Sequence, residues 1–348
     1  MIHTVAETGR GRPTMNDVAA AAGVALKTVS RVVNEERGVN EATAERVRQA
    51  IALLGYRRND GARVLRRGRT ASIGLVIEDV ADPFYSLLSR AVEDVALGNG
   101  SLVFTGSSGE DSLRERELVL AFCARRVDGL IIVPAGDDHG YLVPELAAGI
   151  RAVFADRPAG PGLDVDTVLC DNTGGARAGT AHLAAHGHRR IAFLGDNPAI
   201  FTAEERLRGY REALASAGLA YDAALVAMGT PQQERLHADL ARLLALPDPP
   251  TALFTGNGRT TVTALRALEA LDARPTAAGG IAIVGFDDFE LADMLSPAVT
   301  VVAQDPANLG RTAAELLFRR LSGETGPAER LRLPTRLIAR GSGELPPP

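Results

Sequence analysis

Four polar residues in this 348-residue chain stand beside apolar runs. Asp156 closes RAVFAD, Asn257 follows ALFTG, Asp287 follows IVGF, and Arg206 opens RLRGY. Carboxylate, amide and guanidinium groups supply charge-assisted and bidentate hydrogen bonds, the chemistry that holds a polyol in a partly dry cleft. Phe84 and Tyr85, after the first apolar run, add rings that could pack on a ligand's apolar face. Each residue also has a plainer reading. An acidic group at a strand end can cap a helix or bond a loop, and Arg206 can pair with Glu204 or Glu205.

A second set is basic and hydroxylic. Lys27, Thr28, Ser30 and Arg31 lie on the outer side of a helix expected over roughly 25–33, with Val29, Val32 and Val33 inward. Such donors read base edges and phosphates in a DNA major groove. A helical hairpin with a solvated polar face would carry the same residues.

Other chemistry finds little support. GSSG (106–109) has neither the G-x-S-x-G frame of a nucleophile elbow nor the Gly-Lys-Ser/Thr ending of a phosphate loop. His182 and His186 share a helical face without a glutamate between them in the zinc-protease manner, and His188 lies in a turn. Cys123 and Cys170 sit in apolar stretches at no metal spacing and read as reduced core thiols, which suits a cytoplasmic protein. No metal, cofactor or enzyme activity is expected.

These residues need elements to hold them. Thr14 caps a first helix whose inner side is Val18, Ala19 and Ala22, and Gly23 ends it. Asn40 caps a third helix with Val47, Ile51 and Leu54 on one stripe and Gly55 as its stop. Three short helices with alanines at the crossing fit a helix-turn-helix domain. Charge agrees: residues 1–70 hold thirteen basic and seven acidic side chains, the remainder 25 and 36, within a net charge of −5. Lys27 is the chain's only lysine.

From Ser72 onward, apolar runs alternate with helical patterns. SIGLVIED, SLVFTGS, GLIIVP, RAVFAD and TVLC read as strands of a buried parallel sheet, and a second βα series begins near 174. Two doubly wound subdomains follow, with ligands expected in the cleft beyond the strands' carboxyl ends. Leu309, Ala313, Leu316, Leu317 and Leu321 form the stripe of the last helix. No run approaches a membrane span. The first thirteen residues lack an apolar core and read as a polar arm rather than a secretory signal.

DVAAAAGVALKTVSRVVN with VNEATAERVRQAIALLGY closely resembles the headpiece of the lactose/galactose-repressor (LacI/GalR) family of bacterial transcription regulators. ADPFY (81–85), RRVDGLIIVP (125–134), VFADRP (153–158), HGHRRIAFLG (186–195), ERLRGYREAL (205–214), IVGFDDFE (283–290) and LPTRLIARGS (333–342) extend the resemblance over roughly residues 14–340. It implies an all-α headpiece joined to an α/β effector domain of the periplasmic-binding-protein fold. It implies a sequence-specific repressor of a sugar-utilisation operon, controlled allosterically by a sugar or sugar derivative, with a nucleobase or another small polar metabolite as the alternative.

Carried over, Leu26, Lys27 and Arg31 fall at base-reading positions, and Thr28, Ser30 and Asn34 at phosphate or mixed ones; Thr14 joins the DNA-facing set. Asp156, Arg206, Asn257 and Asp287 fall at effector-coordinating positions. A hinge helix over roughly 60–67 is implied, with Asn59 as cap, Ala62 in the motif and Leu65 as a minor-groove wedge. The chain departs from the family where Ala25 replaces a capping serine, Arg58 a proline, and Asn257-Gly258 an Asn-Asp pair.

The implied layout is an arm at 1–12, the helix-turn-helix at 13–58, a hinge at 59–70, an effector and dimerisation domain at 71–342, and a disordered tail at 343–348. One subdomain takes about 71–172 plus 301–328, the other about 173–300 plus 329–342, with crossings near 171–174, 298–304 and 325–332. The implied partners are palindromic double-stranded operator DNA, a small-molecule effector and a second copy of the chain, with no membrane.

Overall fold

The computed structural model describes residues 12–34, 36–57, 69–273, 275–276 and 280–348, in two compact units, Met1–Thr70 and Ala71–Pro348. Asn59, Ala62 and Leu65 lie outside the described residues, as does the arm up to residue 11.

The first unit holds α1 (Met15–Ala22), α2 (Leu26–Val33) and α3 (Glu41–Leu54). Thr14 and Asp17 cap α1 reciprocally: the Asp17 carboxylate accepts from the Thr14 N–H at 2.7 Å, and the Asp17 N–H donates to the Thr14 hydroxyl. Gly23, at φ +63°, turns the chain into α2 in a conformation that a Cβ would strain. Ala25 makes no side-chain cap bond to α2. Val18, Val29 and Val47 are fully buried and meet Ala19, Ala22, Ala50 and Tyr56, with Val32, Val33, Ile51 and Leu54 packed against them. Three short helices close around one small core.

The second unit opens with β1 (Ser72–Ile77), α4 (Pro83–Gly98), β2 (Leu102–Ser107), α5 (Ser112–Ala124) and β3 (Gly129–Ile132). There follow α6 (Val143–Ala147), β4 (Arg151–Ala155), β5 (Asp166–Cys170), α7 (Asn172–Ala185), β6 (Ile191–Gly195) and α8 (Phe201–Ser216). Then come β7 (Val226–Met228), α9 (Gln233–Leu244), β8 (Ala252–Thr255), α10 (Gly258–Ala270) and β9 (Ala282–Phe286). The chain ends with β10 (Thr300–Ala303), α11 (Pro306–Leu321), β11 (Arg330–Leu333) and β12 (Arg336–Ile338).

The strands form two six-stranded sheets, ordered β11-β5-β4-β3-β1-β2 and β12-β10-β9-β8-β6-β7. The first is parallel throughout; in the second only β12 runs antiparallel. The orders correspond strand for strand, so β4 of one half matches β9 of the other. Helices α4 and α11 cover one face of the first sheet, with Leu88, Leu309 and Leu317 fully buried against Ile73 and Val153. Helix α7 packs in the second half, where Ala176 and Leu183 meet Phe193 and Phe254.

Three expectations need correction. The chain passes between the two sheets at Asp171, at 304–305 and at 334–335, against expected crossings near 171–174, 298–304 and 325–332. β10 stays in the second sheet, and β11, assigned above to the second half, pairs with β5 in the first. A parallel ladder with β5 holds it there, and just before it the Glu329 N–H donates to the Asp166 carboxylate, which Arg320 also grips with two bonds of 2.8 Å. β2 is an edge strand rather than a buried one, leaving Leu102 67% and Phe104 42% exposed. Residues expected in a disordered tail are docked: the Glu344 carboxylate accepts from the Thr300 hydroxyl at 2.8 Å and faces His182, and the His188 Nε2 donates to the Leu345 carbonyl.

Candidate functional site

A cavity of about 430 Å³ opens between the two subdomains of the second unit, at the carboxyl ends of both sheets. Glu78 follows β1, Asp156 and Arg157 follow β4, Asp196 follows β6, Asn257 comes two residues past β8, Asp287 follows β9 and Gln304 follows β10; all line the cavity. Parallel strands with right-handed crossovers bring their carboxyl ends to one side, so residues far apart in sequence converge there.

Arg206, on the first turns of α8, is buried and heavily engaged. Its guanidinium lies 3.9 Å from the Phe286 ring centroid. It donates to Asn172 Oδ1 at 2.8 Å and to the Gly256 carbonyl at 2.7 Å, and stands 3.7 Å from Asp287. Asp287 also accepts from Gln304 at 2.6 Å and from the Gly258 N–H at 3.3 Å. Glu204 and Glu205 are not its partners; Glu205 pairs with Arg208.

The other half is built around Arg157. It holds Glu110 through two bonds of 2.6 and 2.8 Å, donates to the Pro134 carbonyl, and reaches the Tyr85 hydroxyl. Asp156 is 3% exposed, with one oxygen 3.6 Å from the Arg157 Nε. Its Oδ1 has no hydrogen-bond partner among the described residues, and neither has the buried Gln304 Oε1. Burial pushes the Asp156 carboxyl above the usual carboxylate range, against the pull of Arg157 and Arg206. Glu78 is pushed up to about 8, first by burial and then by Glu110. It also meets Arg259 at 2.8 Å, a salt bridge from one subdomain to the other across the cleft.

The six residues picked from the sequence all line this cavity, with different roles. Asn257 spends both polar atoms within the protein: Oδ1 caps α10 at Thr260 and Nδ2 donates to Asp196. Tyr85 is 4% exposed and belongs to the core beside β1, whereas Phe84, edge-on to it at 5.1 Å, is only partly buried. Sequence reasoning passed over Glu78, Arg157, Asp196, Phe289 and Gln304. The signal for most was available, since each of the four polar residues directly follows an apolar run or the aspartate closing it. The described histidines lie elsewhere. His188 is fully buried between Thr251 and Leu345, and among the described residues no group of three His, Cys, Asp or Glu is placed to hold a metal.

In the first unit, Leu26 and Lys27 are exposed at the start of α2, and Thr28, Ser30 and Arg31 are partly exposed. Asn34 ends the helix and donates to the Ser30 hydroxyl at 3.2 Å. The Thr14 hydroxyl is used by the α1 cap.

Residues 14–59 match the model for bacterial regulatory proteins of the lacI family, and residues 180–343 that for a periplasmic binding protein-like domain. The HTH-type transcriptional regulator CelR of Thermobifida fusca is 37% identical over 96% of this chain and 99% of its own. The chain belongs to the lacI family. Another relative is the ribose operon repressor of Escherichia coli (strain K12), 33% identical over 94% of this chain and 99% of its own. Among solved structures, a CelR–cellobiose complex has a TM-score of 0.70 at 35% identity, covering 95% of this chain and 100% of that one. A lac repressor dimer bound to operator and the anti-inducer ONPF has a TM-score of 0.84 at 28% identity, covering 96% and 99%. This lacI-family chain is therefore a DNA-binding transcriptional regulator with a periplasmic-binding-protein-like effector domain, not an enzyme.

Proposed function

We propose that this regulator represses a sugar-utilisation operon and is controlled by a neutral sugar held in the cleft. The carrying observation is the pair of buried acceptors left without partners, Asp156 Oδ1 and Gln304 Oε1. A buried acceptor without a donor costs about 1–3 kcal/mol, so the site favours a ligand that brings hydroxyl groups. The buried guanidiniums of Arg157 and Arg206 already serve protein acceptors. The Arg157 Nε has no hydrogen-bond partner among the described residues but faces the Asp156 carboxylate at 3.6 Å, which a sugar acid or phosphate would also meet. Phe84 and Phe289 supply apolar surface for a ring face. A nucleobase could also donate, but the relatives favour a sugar: one structure is a cellobiose complex and one relative a ribose operon repressor.

Lys27 and Arg31, with Leu26, Thr28, Ser30 and Asn34, are the groups assigned to the operator. Sugar binding changes closure of the two subdomains and, through it, operator affinity. The regulator acts in the cytoplasm as a homodimer on a palindromic site. Leu87, Leu97, Leu102 and Phe104 on α4 and β2 and Leu291, Met294 and Leu295 before β10 are exposed apolar groups of the kind a second copy would cover.

Thermal unfolding with cellobiose, ribose, galactose and gluconate tests the cleft: a neutral sugar at about 100 times its dissociation constant should add about 2.7 kcal/mol. Stabilisation by gluconate alone would overturn the neutral-ligand reading. Mobility shifts on the chain's own upstream DNA test the operator reading, with affinity expected to fall steeply as salt rises. Acetylation offers a second check, because Lys27 carries the only ε-amine: the modified protein should lose operator binding, and bound operator should protect Lys27.

A further inference from the structure

His139, between β3 and α6, is 1% exposed, and both its ring nitrogens face acceptors. Nδ1 lies 2.7 Å from the Ala159 carbonyl and Nε2 lies 2.8 Å from Glu115 Oε1. Glu115, on α5 and also 1% exposed, accepts the Tyr141 hydroxyl at 3.1 Å and, on its other oxygen, the Ala135 N–H at 2.5 Å. A neutral imidazole has one N–H and cannot satisfy two acceptors of this kind. The pair must therefore hold one proton more than a neutral histidine beside a carboxylate, either on the ring or on the carboxyl. His188 makes the contrast. It too is fully buried, but one nitrogen faces the Thr251 hydroxyl, which can donate, so a neutral ring suffices.

The clamp joins the segments that place Asp156 and Arg157. Ala135, held by Glu115, adjoins Pro134, whose carbonyl takes the Arg157 guanidinium. Ala159, held by His139, lies two residues beyond Arg157. The two loops touch where a Cβ on Gly160 would run into the Asp137 carbonyl. We propose that Glu115 and His139 form a proton-holding positioning clamp for the loops that carry Asp156 and Arg157 into the cleft.

When the extra proton leaves for solvent, the neutral ring keeps one N–H, so either the bond to the Glu115 carboxylate or the bond to the Ala159 carbonyl is lost. Few other charges intervene. The Phe154 ring lies edge-on to His139 at 4.9 Å, and Arg116 stands over the Tyr141 ring at 5.5 Å. Cys123 lies near Tyr141 with Glu145 beyond it, and the Asp138 carboxylate is occupied by the Gly140 N–H. The clamp's bearing on ligand binding rests on the cleft reading above, but its test needs no ligand.

Amide hydrogen exchange on the full chain, corrected for intrinsic rates, would follow 134–140 and 155–163 from about pH 6 to about pH 9. In the unmodified chain, protection of both segments should fall about tenfold through the alkaline arm. Glu115→Gln should remove the fall apart from any step due to Glu78, because its amide donates to a neutral imidazole while its oxygen still accepts the Ala135 N–H. His139→Ala should leave both segments unprotected throughout. If that variant does not fold, Glu115→Gln decides alone. The Glu78 carboxyl is intact in both variants, so any step due to it survives. An unchanged alkaline fall in Glu115→Gln, or no fall in the unmodified chain, would overturn the proposal.

Discussion

Asp156 and Asp287 occupy the same place in the two halves of one plan. Each directly follows a central strand, and each has a left-handed backbone, at φ 66° and 71°. Each donates its N–H at 2.9 Å to a valine carbonyl on the next strand, Val168 or Val302. Such a conformation costs a non-glycine residue about 1–3 kcal/mol, so both halves bear strain to aim a carboxylate at the cleft. The side chains then part company. Gln304, Gly258 and Arg206 surround Asp287, whereas Asp156 has Arg157 at 3.6 Å and one oxygen with no bond. The repeated backbone sets where an acceptor points, and residues from other strands set whether it is free.

Replacing Arg206 would break the comparison most severely, because its guanidinium serves both the Asp287 side and the interdomain segment at Asn172. Arg206→Met leaves those acceptors buried without a donor, a change worth about 3–5 kcal/mol when one partner of a buried pair is lost. Denaturant unfolding should show that loss, and calorimetry should show sugar binding abolished. A stable variant that still binds would mean that the Arg206 network does not organise the cleft.

The two aspartates can then be set against each other. Asp156→Asn should weaken sugar binding by about 1.5–3 kcal/mol, the range for a hydrogen bond to a charged group, without loss of stability. Burial raises the Asp156 carboxyl, so the folded chain takes up a proton there at a higher pH than the unfolded chain does. That contribution to stability is present at low pH and lost as pH rises through the raised value, and Asp156→Asn should remove the slope. Asp287→Asn should instead lower stability and binding together, since the Gln304 amide loses a charged acceptor. Equal behaviour in unfolding and titration would refute the asymmetry.

That asymmetry marks where the sequence stopped being readable. The alternation of apolar runs and amphipathic helices was enough for two doubly wound halves, because buried parallel strands need continuous apolar faces. Strand-end position was enough to select Asp156 and Asp287. Their different surroundings were not legible, since Gln304 approaches Asp287 from β10, and Arg157, though adjacent to Asp156, turns toward Glu110. β11 was missed for a related reason. RLRL carries little apolar signal, and its place is set by a backbone ladder with β5, a strand distant in the sequence. Asn257 was found by position, but both its polar atoms turned out to serve the protein.

The smallest effect is expected at Glu78, where the halves meet through Arg259. Burial and the neighbouring Glu110 push its carboxyl up to about 8, from an ordinary value of 4.5. The folded chain thus binds a proton that the unfolded chain releases. The resulting stability is complete below about pH 4.5 and is lost as pH rises toward about 8. Arg157 and Arg259 oppose the shift, and the side chain keeps 17% of its surface in water. We therefore expect about 1 kcal/mol across this window rather than the full linkage of a rigid, dry site. Glu78→Gln, neutral at every pH, should flatten the decline in unfolding free energy over that range while leaving the acid end unchanged. Parallel curves for the two proteins would show that the Glu78 carboxyl is ionised in the fold, and that Arg259 holds the subdomains together by charge.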